Sequence, residues 1–276
     1  MIFVLRKDSS YLNIILNAGA RYELNGSQSG KIFLQSFQTI ISTGGINEAQ
    51  VIASRRLPDI ADMSVVAIGL EFEKNKTNYR YNPRSGYEFK LIGAAGTKTI
   101  KKNNELLELK DPNNPGFDFE TLYDTVKLKS YHLRIAGLFA KYFPAGKQGT
   151  IKTAVNAGVF QSENIFRNEL FQIGGYKTLR GFDEESEYVS QYAIATAEYR
   201  YLIGLNSYFF GFTDLGWARN TSRSSKYSHT YFGTGLGLAL ETKAGIFNLV
   251  WAVGKRDDTP FNLRQSKIHF GFINYF

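Results

Sequence analysis

Apolar and polar residues alternate along segment after segment of this chain, and a period of two commits it to strands with unlike faces. Leu12, Ile14, Leu16, Ala18 and Ala20 alternate with Asn13, Asn17 and Arg21. Val66, Ile68, Leu70 and Phe72 oppose Gly69, Glu71 and Glu73, and Tyr87, Phe89 and Leu91 oppose Glu88 and Lys90. Tyr131, Leu133, Ile135 and Phe139 oppose Ser130, His132 and Arg134; Ile151, Thr153, Val155 and Val159 oppose Lys152, Asn156 and Gly158. The same pattern runs through Leu236–Glu241 and Phe247–Gly254. A soluble sandwich buries the apolar face of such strands, whereas a membrane barrel turns it to lipid. Alternation alone leaves both open.

The connections separate them. One set is tight and rich in turn residues: Asn25–Gly30, Asn82–Gly86, Pro144–Gly149, Ile203–Asn206 and Glu241–Gly245. The other is long and polar, about 43–63, 97–122, 161–190, 218–229 and 255–266. Short and long alternate, which is the topology of outer-membrane barrels, with short periplasmic turns and longer external loops. The expectation is an all-β, antiparallel transmembrane barrel of about twelve strands with the C-terminus on the short-turn side. One helix is expected, from Asn47 to Arg56, stopped by Pro58 and lying in a long connection.

Composition agrees. Aromatics reach 15% while mean hydropathy is only −0.25. That pairing does not suit a helical membrane protein, and no run approaches the roughly 18 apolar residues a membrane helix needs. In a barrel the polar lumen face averages the lipid face away. The absence of cysteine excludes disulfides, thiolate metal sites and a cysteine nucleophile. Lys and Arg give a net charge of +8 but are scattered, so no nucleic-acid partner is expected. The only histidines, His132, His229 and His269, have no metal-ligand spacing, and no Gly-x-Ser-x-Gly elbow occurs. Neither a metal, a cofactor nor enzymatic activity is expected; an outer-membrane phospholipase is the nearest enzymatic alternative.

The chain ends Lys267-Ile-His-Phe-Gly-Phe-Ile-Asn-Tyr-Phe276. This resembles the C-terminal β-signal of outer-membrane barrels: His269, Gly271 and Phe276 fit, and Asn274 departs at the third-last position. The most specific segment is Phe171-Gln-Ile-Gly-Gly-Tyr-Lys-Thr-Leu-Arg-Gly-Phe182. Its Gly174, Gly175, Leu179, Arg180, Gly181 and Phe182 resemble the motif of the sixth external loop in the BamA/TamA superfamily, the bacterial surface antigen family, which includes two-partner secretion transporters. The resemblance runs from about Ala61 to Phe276 and takes in Asn82-Pro-Arg-Ser-Gly86 and Gly233-Thr-Gly-Leu-Gly237. The first sixty residues are compatible but unspecific.

The resemblance implies a loop that folds back into the lumen, its Arg180 held by acids on the next two strands. Glu198 in Ala197-Glu-Tyr-Arg200 and Asp214 in Phe212-Thr-Asp-Leu-Gly-Trp217 stand where those acids belong. An Arg brought into an interior loses hydration, and a bidentate, charge-assisted partner offsets that cost. The family barrel has sixteen strands, usually preceded by POTRA domains, so residues 1–276 would be its last twelve strands. Met1-Ile-Phe-Val-Leu5 followed by Arg6-Lys7-Asp8 is no secretory signal, which fits a chain that lacks its true beginning. By the same resemblance the protein sits in the outer membrane of a Gram-negative bacterium. It would help client proteins fold into or cross that membrane, with outer-membrane lipids, client β-barrel or secreted proteins and accessory lipoproteins as partners. The alternative is a two-partner-secretion-type pore or another outer-membrane channel.

Overall fold

A computed structural model describes residues 2–7, 10–42 and 44–274, with side chains from Ser10 onward. In chain order the strands are β1 (Ile2–Lys7), β2 (Tyr11–Asn25), β3 (Gln28–Ile41), β4 (Met63–Thr77), β5 (Gly86–Ile100), β6 (Lys129–Ala145), β7 (Gly149–Ser162), β8 (Phe171–Ile173), β9 (Glu187–Val189), β10 (Gln191–Leu202), β11 (Tyr208–Thr221), β12 (Lys226–Thr242), β13 (Gly245–Arg256) and β14 (Lys267–Asn274). All but β8 and β9 pair in sequence order into one antiparallel, 12-stranded sheet. β8 and β9 form a separate hairpin inside the connection from β7 to β10. Among the described residues, β1 and β14 each pair with one neighbour.

The direction of the alternation identifies the architecture. In β4, Val66, Ile68 and Leu70 are 56%, 62% and 63% exposed, while Val65 and Ala67 between them are buried. In β13, Phe247, Leu249 and Trp251 are exposed and Val250 and Ala252 are buried. Ile268, Phe270 and Phe272 point outward from β14, and His269 points inward. Lys98, His132, Glu198, Arg200, Asp214 and Asn248 are buried on the inner side. A soluble sandwich would bury the large apolar face; this sheet displays it and encloses polar groups, as a transmembrane barrel does. Inside the curl of the sheet the β4–β5 turn reaches β10 through Asn82–Arg200, and the connection from β7 to β10 reaches back to β5 through Lys98–Glu169.

Helix α1 (Glu48–Ser54) lies in the connection from β3 to β4. The Asn47 carboxamide oxygen accepts from the Gln50 N–H at 3.0 Å, and Arg55 ends the helix in the left-handed region, three residues before Pro58. A one-turn helix, α2 (Asn104–Leu107), and a 3-10 turn at Phe119–Thr125 follow in the next long connection. Val51, Ile60, Leu106, Phe119, Leu122 and Phe166 from these loops share one apolar cluster with Tyr11, Ile41 and Met63 at the strand ends. The long connections therefore pack on one another at one end of the sheet.

One expected loop is corrected. Residues 218–229 are not a long connection: β11 and β12 continue as a hairpin through Asn220↔Tyr227 and Thr221↔Lys226. Only 222–225 turn, tied by the Ser222 N–H to Asn220 Oδ1 at 2.8 Å and by Ser222 Oγ to the Ser225 carbonyl at 3.2 Å. Arg219, Asn220, Ser228 and His229 read as loop because strand beyond the apolar band has no lipid to face and loses its period-two signal.

Candidate functional site

The 163–190 connection folds inward as a compact knot around the β8–β9 hairpin. Gly174 (φ 113°) and Gly175 (φ 88°) take backbone conformations that side chains disfavour, so the chain can reverse there. Thr178 Oγ1 accepts from the Gly174 N–H at 2.9 Å and donates to its carbonyl at 3.0 Å. The Gly175 N–H donates to the Leu179 carbonyl at 3.0 Å, and the Tyr176 N–H to Glu184 Oε1 at 2.7 Å. Leu179 is completely buried among Ile173, Val189, Ile194 and Ala218, which seats the knot on the inner wall of β10 and β11.

Arg180 projects from this knot onto two carboxylates. Its Nε and Nη2 donate to Asp214 Oδ2 and Oδ1, both at 2.8 Å, in a bidentate fork. Its Nη1 donates to Glu198 Oε2 at 2.7 Å, and its backbone N–H reaches Asp214 Oδ2 at 3.2 Å. The register explains why both acids are within reach: Asp214 lies opposite Thr196 and Glu198 opposite Phe212, so the acids are diagonal neighbours on one face. Thr196 Oγ1 donates to Asp214 Oδ1 at 2.7 Å, Arg200 Nε donates to Glu198 Oε1 at 2.8 Å, and the Phe212 ring lies 3.5 Å from the guanidinium carbon. Removing one partner from such a buried set costs on the order of 3–5 kcal/mol, because an uncompensated charge stays behind.

Beyond Arg180 the loop crosses the remaining strands. A Cβ on Gly233 of β12 would lie 2.2 Å from the Arg180 carbonyl oxygen, and one on Gly254 of β13 would lie 2.6 Å from that of Gly181. A Cβ on Gly271 of β14 would lie 2.7 Å from the Tyr176 ring. The Gly181 N–H donates to His269 Nε2 at 3.1 Å, and Lys267 Nζ pairs with Asp183 at 2.8 Å. Phe182 stands edge-on to Tyr231 at 5.4 Å. One loop thus touches five consecutive strands, β10 to β14. His269 and Gly271 of the terminal motif meet it; Phe276 lies outside the described residues.

The base of the loop has a second anchor that sequence reasoning missed. Lys98 Nζ, fully buried on β5, donates to the carbonyls of Glu163 (2.9 Å) and Asn164 (3.2 Å) and to Glu169 Oε2 (3.0 Å). Arg134 of β6 donates to the Glu169 carbonyl at 2.7 Å and stacks 3.8 Å from the Phe171 ring centre. Arg134 had the look of a plain lumen residue, because a polar position on a lumen face carries no mark of what it touches. His229, Asp257 and Asp258 come within metal-ligating distance of one another. Their oxygens are already committed: Arg256 donates to both oxygens of Asp258 at 2.6 and 3.0 Å, and Thr230 N–H and His229 hold Asp257.

Comparison with known proteins places this geometry. The chain is similar in fold to the crystal structure of BamA from Haemophilus ducreyi lacking POTRA domains 1–3, with a TM-score of 0.65 at 14% identity. The match covers 95% of this chain and 53% of that one, so the chain spans about half the length of that structure. No curated protein sequence matches the chain. The Omp85 superfamily domain matches residues 61–275. A match that takes in every strand from β4 to β14, together with the inward loop and its two acids, makes the chain a member of the Omp85 superfamily.

Proposed function

We propose that residues 1–276 form the barrel wall of a Gram-negative outer-membrane assembly factor, which helps client proteins fold into or cross the membrane at its last strand. The observation that carries this reading is the span of the Arg180 loop across β10–β14, which braces the inner face of the strand at the sheet's edge. β14 pairs only with β13 among the described residues, and an edge strand offers unpaired N–H and C=O groups as a template for an incoming strand. The loop's role is to fix the shape of that edge. Outer-membrane lipids would meet the outward apolar face, and client barrels or secreted proteins the edge; accessory lipoproteins would bind elsewhere. The process makes and breaks no covalent bonds, so Arg180, Glu198 and Asp214 act as structural groups and not as catalysts.

The alternative is a translocation pore. Reconstitution into lipid vesicles separates the two. An assembly factor accelerates the folding of an unfolded barrel client, read as its heat-modifiable gel shift, and passes little ion current. Large steady conductance with no effect on client folding would establish the pore instead.

A further inference from the structure

At the short-turn end, one connection differs from the rest. The turns 26–27, 146–148, 203–207 and 243–244 are tight, whereas 78–85 is longer and folds inward. Asn82, at its centre, is only 2% exposed. Its amide nitrogen donates to the Leu205 carbonyl at 3.0 Å, and its amide oxygen accepts from Arg200 Nη1 at 3.0 Å. Asn206 Nδ2 approaches the Tyr79 hydroxyl at 3.4 Å. Arg84 donates to the carbonyls of Lys147 (2.8 Å) and Gly146 (3.1 Å). Tyr81 packs on the same cluster around Phe210 and Phe212 that receives Tyr176 from the long loop. The turn therefore reaches from β4–β5 past β6 and β7 to β10 and β11. Glu198 stands between the two intruding segments: Oε1 takes Arg200, and Oε2 takes Arg180.

We propose that the Asn78–Ser85 turn is a latch across the short-turn mouth of the lumen, that Arg200 is its positioning residue, and that Glu198 couples the latch to the Arg180 loop. The physical basis is the shared carboxylate. If Arg180 leaves, Glu198 is free to reorient toward its remaining cation; Arg200 shifts with it, and the hydrogen bond that Arg200 gives Asn82 is disturbed. The latch and the loop then open more readily together than either does alone. This holds whether the barrel inserts clients or conducts them, so it stands or falls separately from the function proposed above.

The chain contains no cysteine, so spin labels can be placed cleanly on Arg80→Cys and Leu205→Cys in the full barrel. The unaltered network gives one short, narrow distance distribution. Asn82→Ala, which removes no charge, takes away both the bond from Arg200 and the bond to the Leu205 carbonyl and shifts the open-to-closed ratio of the turn at least about tenfold, the size of losing the hydrogen bond to the charged group alone. Arg180→Ala, which does not touch the turn, broadens the same distribution and raises single-channel conductance in planar bilayers. Arg21→Ala, on the far strand β2, changes neither. An unchanged distribution in Asn82→Ala overturns the latch. An unchanged distribution in Arg180→Ala overturns the coupling. Arg200→Lys, which keeps a cation beside Glu198 but loses the Nη1 donor to Asn82, broadens the distribution as Asn82→Ala does, and an unchanged distribution there overturns the positioning role of Arg200.

Discussion

The backbone N–H of Gly181 donates to the imidazole Nε2 of His269 at 3.1 Å, joining the middle of the long loop to the terminal strand across 88 residues of sequence. Nε2 must be unprotonated to accept that bond. Next to it the Tyr176 ring covers Gly271. Two segments that look unrelated along the chain, the Arg-Gly-Phe loop and the last strand, are one contact in space. Whatever loosens the loop therefore loosens the sheet's edge.

Arg180 is the first place to test. Arg180→Ala leaves Asp214 and Glu198 buried beside one another without their shared cation and should cost about 3–5 kcal/mol. Arg180→Lys keeps the charge but loses the fork, so its cost should fall between that variant and the wild type. Adding Asp214→Asn to Arg180→Ala should cost less than the sum of the two single changes, because the second removes a charge the first orphaned. Urea titration of the folded barrel, followed by its gel mobility, measures all three.

His269→Ala removes the acceptor from a buried N–H and should destabilise the fold by about 1–3 kcal/mol. His269→Gln retains an acceptor at similar reach and should recover part of that. Equal stability of His269→Ala and wild type in the same titration would show that water replaces the imidazole and that the loop does not depend on β14.

The glycines facing the loop give a sharper test, because their obstacles differ. An added methyl at Gly271 meets the Tyr176 ring, whereas one at Gly254 meets the Gly181 backbone. Gly271→Ala should displace the loop and be rescued by Tyr176→Ala. Gly254→Ala should displace it with no such rescue. Limited proteolysis of the 163–190 loop reports both.

Much of the barrel was legible in the sequence, because lipid and water impose opposite demands on alternate residues. Val66, Ile68 and Leu70 in β4 show that demand directly. Alternating connection lengths located most of the turns, and Asn47 and Pro58 bracketed helix α1. Legibility failed where the demand lapses. Beyond the apolar band, Asn220 and Ser228 are strand residues that look like loop. In the site, Arg180, Glu198 and Asp214 were noticed through family resemblance, and the structure brings the three together. Lys98 was passed over, Arg134 and Arg200 were legible only as polar strand residues, and Asn82 only as part of a turn motif. Any polar residue satisfies the pattern at the three strand positions, and a turn motif does not show what its side chain reaches, so only the fold shows that Lys98 and Arg134 hold the base of the loop and that Arg200 and Asn82 hold the 78–85 turn.

The base anchor yields its own prediction. Arg134→Ala loses a charge-assisted hydrogen bond to the Glu169 carbonyl and a stacked ring, about 2–4 kcal/mol together. Its effect on the proteolytic resistance of the loop should lie between Arg180→Ala and Arg21→Ala. Arg21 is half-exposed and pairs with Glu71 and Glu73 on a distant part of the sheet, so its loss should change little. An Arg134→Ala barrel as resistant as Arg21→Ala would confine the fastening of the loop to its tip.

The most direct test of the whole account is amide hydrogen exchange over residues 179–182 in the folded barrel. The N–H groups of Arg180 and Gly181 donate to Asp214 and His269 beneath a buried loop. They should exchange as slowly as the sheet amides of β10 and β11, and Asp214→Asn should release them. Exchange as fast as that of the exposed 146–147 turn in the unmodified barrel would contradict the account, because the loop would then not be fastened to the wall at all.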